Sequence, residues 1–369
     1  MNGLIKEKID RVEALYPKER IDRSKERLNS LWNRQTPDDR YPFTFAPATY
    51  DTCGDLHMPE QRVMAALDEL INKGRFGDDA IPSIFPGCRQ STMPNLFGAK
   101  ELVIGNDCTC EKIINKPGDI DSLTWEIKKG TVAYNWLEFQ KQAIELTDGR
   151  LPVHVVDMQG PFDACAQLCG YDHLMLCAFE EPERYRRLMT MMSDAFCTFW
   201  EEQQKVCGDL FMGTHLLGWS YIPPMKCATV SMDSLVMLSP DFWYEFVEPY
   251  FGTIKERLGR VVVHSCGDFS QMVPVLMEDE NIIAINAGQM TVEELLAAGV
   301  NNNKVLIVAC AEADAEKTIR QSKENGLFTD ISIWASTLSF LTNKNDPGFA
   351  ENERKFKAYT NELLSAATY

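Results

Sequence analysis

The stretch Val261-Val262-Val263-His264-Ser265-Cys266-Gly267-Asp268 decides how this 369-residue chain is read. Three consecutive β-branched residues make a continuous apolar run, as expected of a strand covered on both faces. The run ends in polar residues, and Gly267 lets the backbone turn sharply away. His264 and Cys266 are two apart, so on an extended chain their side chains point the same way. An imidazole beside a thiol suits a borderline-soft ion such as Zn²⁺. A core histidine next to a small buried thiol gives the same local sequence, so the pattern needs its surroundings.

Outward from this stretch, seven further runs read as strands: residues 42–47, 80–86, 151–158, 210–215, 282–286, 305–310 and 331–335. Helical patterns lie between them, at residues 59–73, 182–206, 240–258, 292–298 and 315–323. Pro182 and Pro240 stand where a first helical turn needs no N–H, and Ser239 is placed as an N-cap. Repeated strand–helix alternation predicts an α/β fold, a (β/α)₈ TIM barrel, with an open doubly wound sheet as the alternative. Residues 5–33 are charge-rich, with Ile5, Ile9, Val12 and Leu15 at helical intervals. They predict an N-terminal helical extension over residues 1–40, followed by one barrel domain over 41–369. The segment 87–149 is long for one βα unit and predicts an insertion after the second strand.

The chain carries 37 Lys+Arg against 54 Asp+Glu, a formal net charge of −17. Such an excess repels phosphate backbones and anionic lipid surfaces, so neither nucleic acid nor a membrane is an expected partner. The first ten residues lack the apolar core of a signal peptide, and no run approaches the ~18 residues that span a bilayer. A cytoplasmic protein with reduced thiols is the expectation. Each of the 12 cysteines is then a small hydrophobe, a metal ligand or a nucleophile.

In a barrel, reactive groups sit at the C-terminal ends of strands. One run ends at His264 and Cys266, and another ends Ala309-Cys310-Ala311-Glu312. Arg89, after the second run, is a candidate to hold a substrate carboxylate; an ordinary surface arginine is the alternative. His215 ends the fourth run as a candidate substrate-orienting group or a hydrogen-bonded core histidine. Trp219 and Tyr221 follow it and suit stacking on a flat ligand, although packing under a loop explains them equally simply. Cys108 and Cys110 read as structural, and Cys165 and Cys169 share a helical face toward the core. No phosphate-binding glycine loop and no Gly-x-Ser-x-Gly elbow occurs.

Several of these segments together resemble the uroporphyrinogen decarboxylase-like superfamily. They are Leu238-Ser239-Pro240-Asp241-Phe242-Trp243, Pro249-Tyr250 and His264-Ser265-Cys266-Gly267-Asp268. Leu151-Pro152-Val153 through Gln159-Gly160-Pro161-Phe162 with Gly170, and Phe97-Gly98-Ala99 with Pro117-Gly118-Asp119-Ile120, extend the likeness over roughly residues 40–340. The resemblance implies a (β/α)₈ barrel. True uroporphyrinogen decarboxylase has an arginine-rich motif near its N-terminus, and here residues 43–50 contain no arginine. The chain is closer to the branch of methylcobamide:coenzyme M and related corrinoid-dependent methyltransferases. That branch implies zinc held by a His-x-Cys, matching His264 and Cys266, and by a later cysteine.

The later cysteine departs from the pattern, because Ile333-Trp334-Ala335-Ser336-Thr337 has no thiol. Cys310 is the candidate replacement, with Asp233 and Glu312 as candidate oxygen ligands; a buried Cys310 and no metal is the alternative. The leading expectation is an enzyme moving a methyl group between a cobamide and a small thiol, amine or methoxy compound. Its cobamide would come on a separate corrinoid-binding protein, since this chain lacks an Asp-x-His-x-x-Gly signature, and a homodimer is compatible with it. A metal-free decarboxylase acting on a different acid, or a non-catalytic binding barrel, is the other reading.

Overall fold

The computed structural model describes residues 3–46, 58–87, 89–104, 107–214, 221–223, 227–341 and 346–369. Its strands in chain order are β1 (Phe43–Ala46), β2 (Glu101–Ile104), β3 (Asp107–Cys110), β4 (Val153–His154) and β5 (Phe211–Met212). They continue with β6 (Cys227–Ser231), β7 (Arg260–Ser265), β8 (Ile282–Ala287), β9 (Val305–Ala311) and β10 (Phe328–Trp334). Six of them form one parallel sheet in the order β1-β10-β9-β8-β7-β6. A second parallel pair joins β4 to β5, and β2 and β3 make a separate antiparallel hairpin.

The apolar run of β7 has a direct physical cause. Val261 and Val263 join a core built with the long helix Pro182–Cys207, while Val262 packs with Ala284 and Ile307 in a second cluster. Both faces of the strand are therefore covered, and alternation of polar and apolar residues would bury unpaired polar groups.

β1 is linked to residues 78–79 by one backbone hydrogen bond and two side-chain carboxylates. Asp79 N donates to Phe43 O (2.9 Å), Phe43 N to Asp79 Oδ2 (3.1 Å) and Phe45 N to Asp78 Oδ2 (2.9 Å). Both carboxylates are buried and paired: Arg20 meets Asp78 at 2.9 Å, and Arg27 and Arg40 meet Asp79 at 2.8 and 2.7 Å. Arg20 and Arg27 belong to the helix Lys18–Trp32, so the N-terminal helices are built into the body by ion pairs.

The architecture is mixed α/β around a central parallel sheet, and it departs from the expected eight-stranded barrel. Among the described residues no ladder joins β5 to β6, so no closed ring is formed. β5 is only two residues long, and the loop after β4 docks on β6 instead, with Gly160 N donating to Ser231 O (2.5 Å). The run at 80–86 supplies only an isolated bridge, Ile84 to Val153, because Pro82 and Pro86 have no N–H to donate. The hairpin β2–β3, the helix Thr92–Leu96, the short turn Pro117–Ser122 and the helix Val132–Leu146 occupy the 87–149 segment. Among the described residues no helix is long and apolar enough to cross a membrane.

Candidate metal centre

β6, β7 and β8 lie side by side with Ser231 opposite His264 and His264 opposite Asn286. This register brings the strand ends together. Directly after β6 the chain enters the 3₁₀ turn Asp233–Val236, which places the Asp233 carboxylate beside the end of β7. Asp233 Oδ1 accepts the Cys266 N–H (2.8 Å) and lies 3.9 Å from His264 Nε2. Cys266 Sγ is 3.5 Å from the same nitrogen. The three ligand atoms, one oxygen, one nitrogen and one sulfur, all lie within 4.8 Å of one another.

Asn286 sets the histidine's tautomer. Its Nδ2 donates to Ile307 O (3.0 Å), which turns its Oδ1 onto His264 Nδ1. The oxygen can only accept, so Nδ1 carries the proton and the Nε2 lone pair faces Cys266 and Asp233. His264 is buried, Asn286 fully so.

Burial first, and then the Asp233 carboxylate beside it, push the Cys266 thiol up to about 12. Without a cation the sulfur keeps its proton at neutral pH; a bound divalent ion reverses that balance and makes it a thiolate ligand. The donor set therefore fits zinc on its chemistry: a soft sulfur, an imidazole nitrogen in the correct tautomer and a carboxylate oxygen.

Two glycines let the backbones approach. A Cβ on Gly160 would stand 2.6 Å from Ser231 O, and one on Gly267, with φ +74°, 2.8 Å from Val236 Cγ1. Asp163, fully buried in the first turn of Pro161–Cys169, accepts Ser234 N–H (3.4 Å) and so steadies the turn that carries Asp233. Asp157 lies behind the cluster, accepting from Ser231 Oγ (3.3 Å).

The structure thus brings together His264, Cys266 and Asp233. Cys310 is not among them. Alternation along β9 puts it opposite Ile333 and against Thr318 of the helix Ala315–Glu324, and burial raises its thiol to about 11. Glu312 is engaged elsewhere, accepting from Thr337 N (2.7 Å) and Thr337 Oγ1 (2.8 Å). Arg89 pairs with Glu101 at the base of the β2–β3 hairpin. Tyr221 is half-buried, with Lys25 Nζ 5.6 Å from its ring centre. His215 and Trp219 lie outside the described residues. Cys108 is disulfide-bonded, so the expectation of wholly reduced thiols fails there. Asn286, which sequence reasoning passed over, had one visible signal: an amide closing an otherwise apolar strand.

No protein-family model matches the sequence, and no curated protein sequence matches it. Solved structures do share the fold. A methyltransferase from Methanosarcina mazei superposes with a TM-score of 0.62 at 12% identity, over 90% of this chain and 98% of that one. A B12-independent methionine synthase from Shewanella sp., in complex with selenomethionine, gives a TM-score of 0.50 at 11% identity, over 88% and 92%. At these identities the likeness is one of fold alone.

Proposed function

We propose that this chain is a methyltransferase whose reacting group is activated at a zinc centre held by His264, Cys266 and Asp233. The observation that carries the reading is the oriented donor set at the C-terminal ends of β6 and β7, with Asn286 freeing Nε2 of His264. The fold shared with a Methanosarcina methyltransferase supports it. Zinc in such a site acts as a Lewis acid on a thiol, or on the heteroatom that loses a methyl group.

The chain's own residues do the rest. His264 offers nitrogen in a fixed tautomer. Asp233 supplies an oxygen and, through the Cys266 N–H, fixes the backbone that carries the sulfur. Gly267 turns the chain away at once, with its N–H on Gln289 Oε1 (2.9 Å), and its missing Cβ leaves room for the Val236 side chain. The methyl carrier in this reading is a cobamide on a separate corrinoid-binding protein, and the other substrate is a small thiol, amine or methoxy compound.

Methyl transfer to and from free cobalamin, followed by the cobalamin spectrum with panels of thiols, methylamines and methoxy compounds, tests this. Turnover that is lost in Cys266→Ser supports the reading. Absence of transfer with cobalamin and with non-corrinoid methyl donors alike overturns it.

A further inference from the structure

Gln159 stands in the loop after β4, at the end of the strands where the metal centre lies, and its backbone is left-handed, with φ +55°. A residue with a Cβ rarely adopts that conformation, and such strain persists where the surroundings enforce it, most often at functional sites. Here both sides enforce it. Gln159 N donates to Asp157 Oδ1 (3.2 Å), and the N–H of the next residue, Gly160, meets Ser231 O (2.5 Å). The missing Cβ of Gly160 lets the loop lie against Val230, Ser231 and Met232. Those residues lead directly into Asp233, and Ser231 stands opposite His264 in the neighbouring strand.

Gln159 is only 7% exposed, yet its side-chain amide makes no hydrogen bond among the described residues. Buried amides normally have partners, so one that is held by strain and left unpaired beside a metal centre calls for a partner from outside the chain. Charge decides its kind. The Asp233 carboxylate and the Cys266 thiolate together neutralise a bound Zn²⁺. Asp157, which accepts from Ser231 Oγ (3.3 Å), then adds a further negative charge. Among the described residues the charges that act on the Cys266 sulfur are those of Asp233 and Asp157. Such a field opposes a carboxylate or sulfonate and favours a cation. An ammonium group donates hydrogen bonds but has no lone pair for a metal, so the atom that zinc activates is a second heteroatom of the same molecule. Sulfur is the donor that such a borderline-soft ion takes readily.

We infer that Gln159 selects the substrate of this centre, its amide oxygen accepting from the ammonium group of a small aminothiol without a carboxylate, whose sulfur meets the zinc. The inference rests on the methyltransferase reading and narrows its substrate class.

Calorimetric titration of the zinc-loaded full chain with three thiols of similar size tests this. 2-Aminoethanethiol, 2-mercaptoethanol and 3-mercaptopropionate end in a cation, a neutral hydroxyl and an anion. 2-Aminoethanethiol is expected to bind about tenfold or more tightly than 2-mercaptoethanol, the worth of a hydrogen bond to a charged group, and 3-mercaptopropionate most weakly. Gln159→Gly removes the amide and suits a left-handed backbone. It should close most of that gap while zinc content is unchanged and the melting temperature holds or rises. A lower melting temperature with the gap unchanged means a structural role for Gln159 and overturns the inference. So does equal binding of the three thiols, or preference for the anion. Failure of all three to bind, with methyl transfer from cobalamin still seen for other substrates, overturns the inference alone; no transfer with any substrate overturns the methyltransferase reading as well.

Discussion

Asn286 shows how much of the centre depends on a single hydrogen-bond direction. Its amide is pinned at one end by Ile307 O, and the other end dictates which nitrogen of His264 is free. Asn286→Ala removes that dictation and should lower metal affinity about 10–100-fold, the usual cost of losing such an outer partner. Asn286→Asp keeps an acceptor facing Nδ1 but loses the donor to Ile307 O, so it should retain more of the affinity than Asn286→Ala. Competition with a zinc-binding dye, run beside urea unfolding of both variants, checks this. An equal loss in both, or a loss that merely follows stability, contradicts it. His264 and Cys266 were legible in the sequence because their juxtaposition is local, set by the two-residue period of one strand. Asp233 was legible only as one of two candidate oxygen donors, since its approach depends on β6 lying beside β7. Asn286 is 22 residues from His264, and only the β7–β8 register reveals it.

Among the elements, the long apolar strands were readable and the short ones were not. β7, β8, β9 and β10 are buried on both faces and announce themselves as Val- and Ile-rich runs. β6, Cys-Ala-Thr-Val-Ser, is as fully buried but built from small residues, so no Val- or Ile-rich run marks it. The hairpin β2–β3 sits in the segment read as an insertion, and its strands, four residues each, are too short to stand out as runs. Joining of β4 to β6 depends on Gly160, whose missing Cβ admits Ser231 O. Gly160→Ala must move one backbone from the other, and overpacking of this kind costs about 1–3 kcal/mol. Urea denaturation of the variant should show that loss, together with weaker zinc binding, because Ser231 adjoins the turn that bears Asp233. Unchanged stability would mean that the approach of the two strand ends is not needed.

At the scale of the whole molecule, the N-terminal helices and the sheet are joined by buried charge. Asp79 takes two arginines and a backbone N–H of β1. Asp79→Ala strands the buried Arg40 guanidinium, while Arg27 keeps Asp39; removing one partner of a buried pair costs about 3–5 kcal/mol. Thermal unfolding should register a large drop, and a shift within error would mean that the helices are not held this way. None of this pairing was legible beforehand, because Arg27 and Asp79 are 52 residues apart and each reads as a surface charge. The overall α/β organisation was legible, since alternation of strand and helix survives even where the ring of strands does not close. The account rests on the centre formed by Asp233, His264 and Cys266, and elemental analysis tests it most directly. Protein purified without chelator should contain about one zinc per chain, and His264→Ala and Cys266→Ser should each lose it while remaining folded. Wild-type protein without zinc that also fails to take it up on titration, or variants that hold as much as the wild type, would contradict the account.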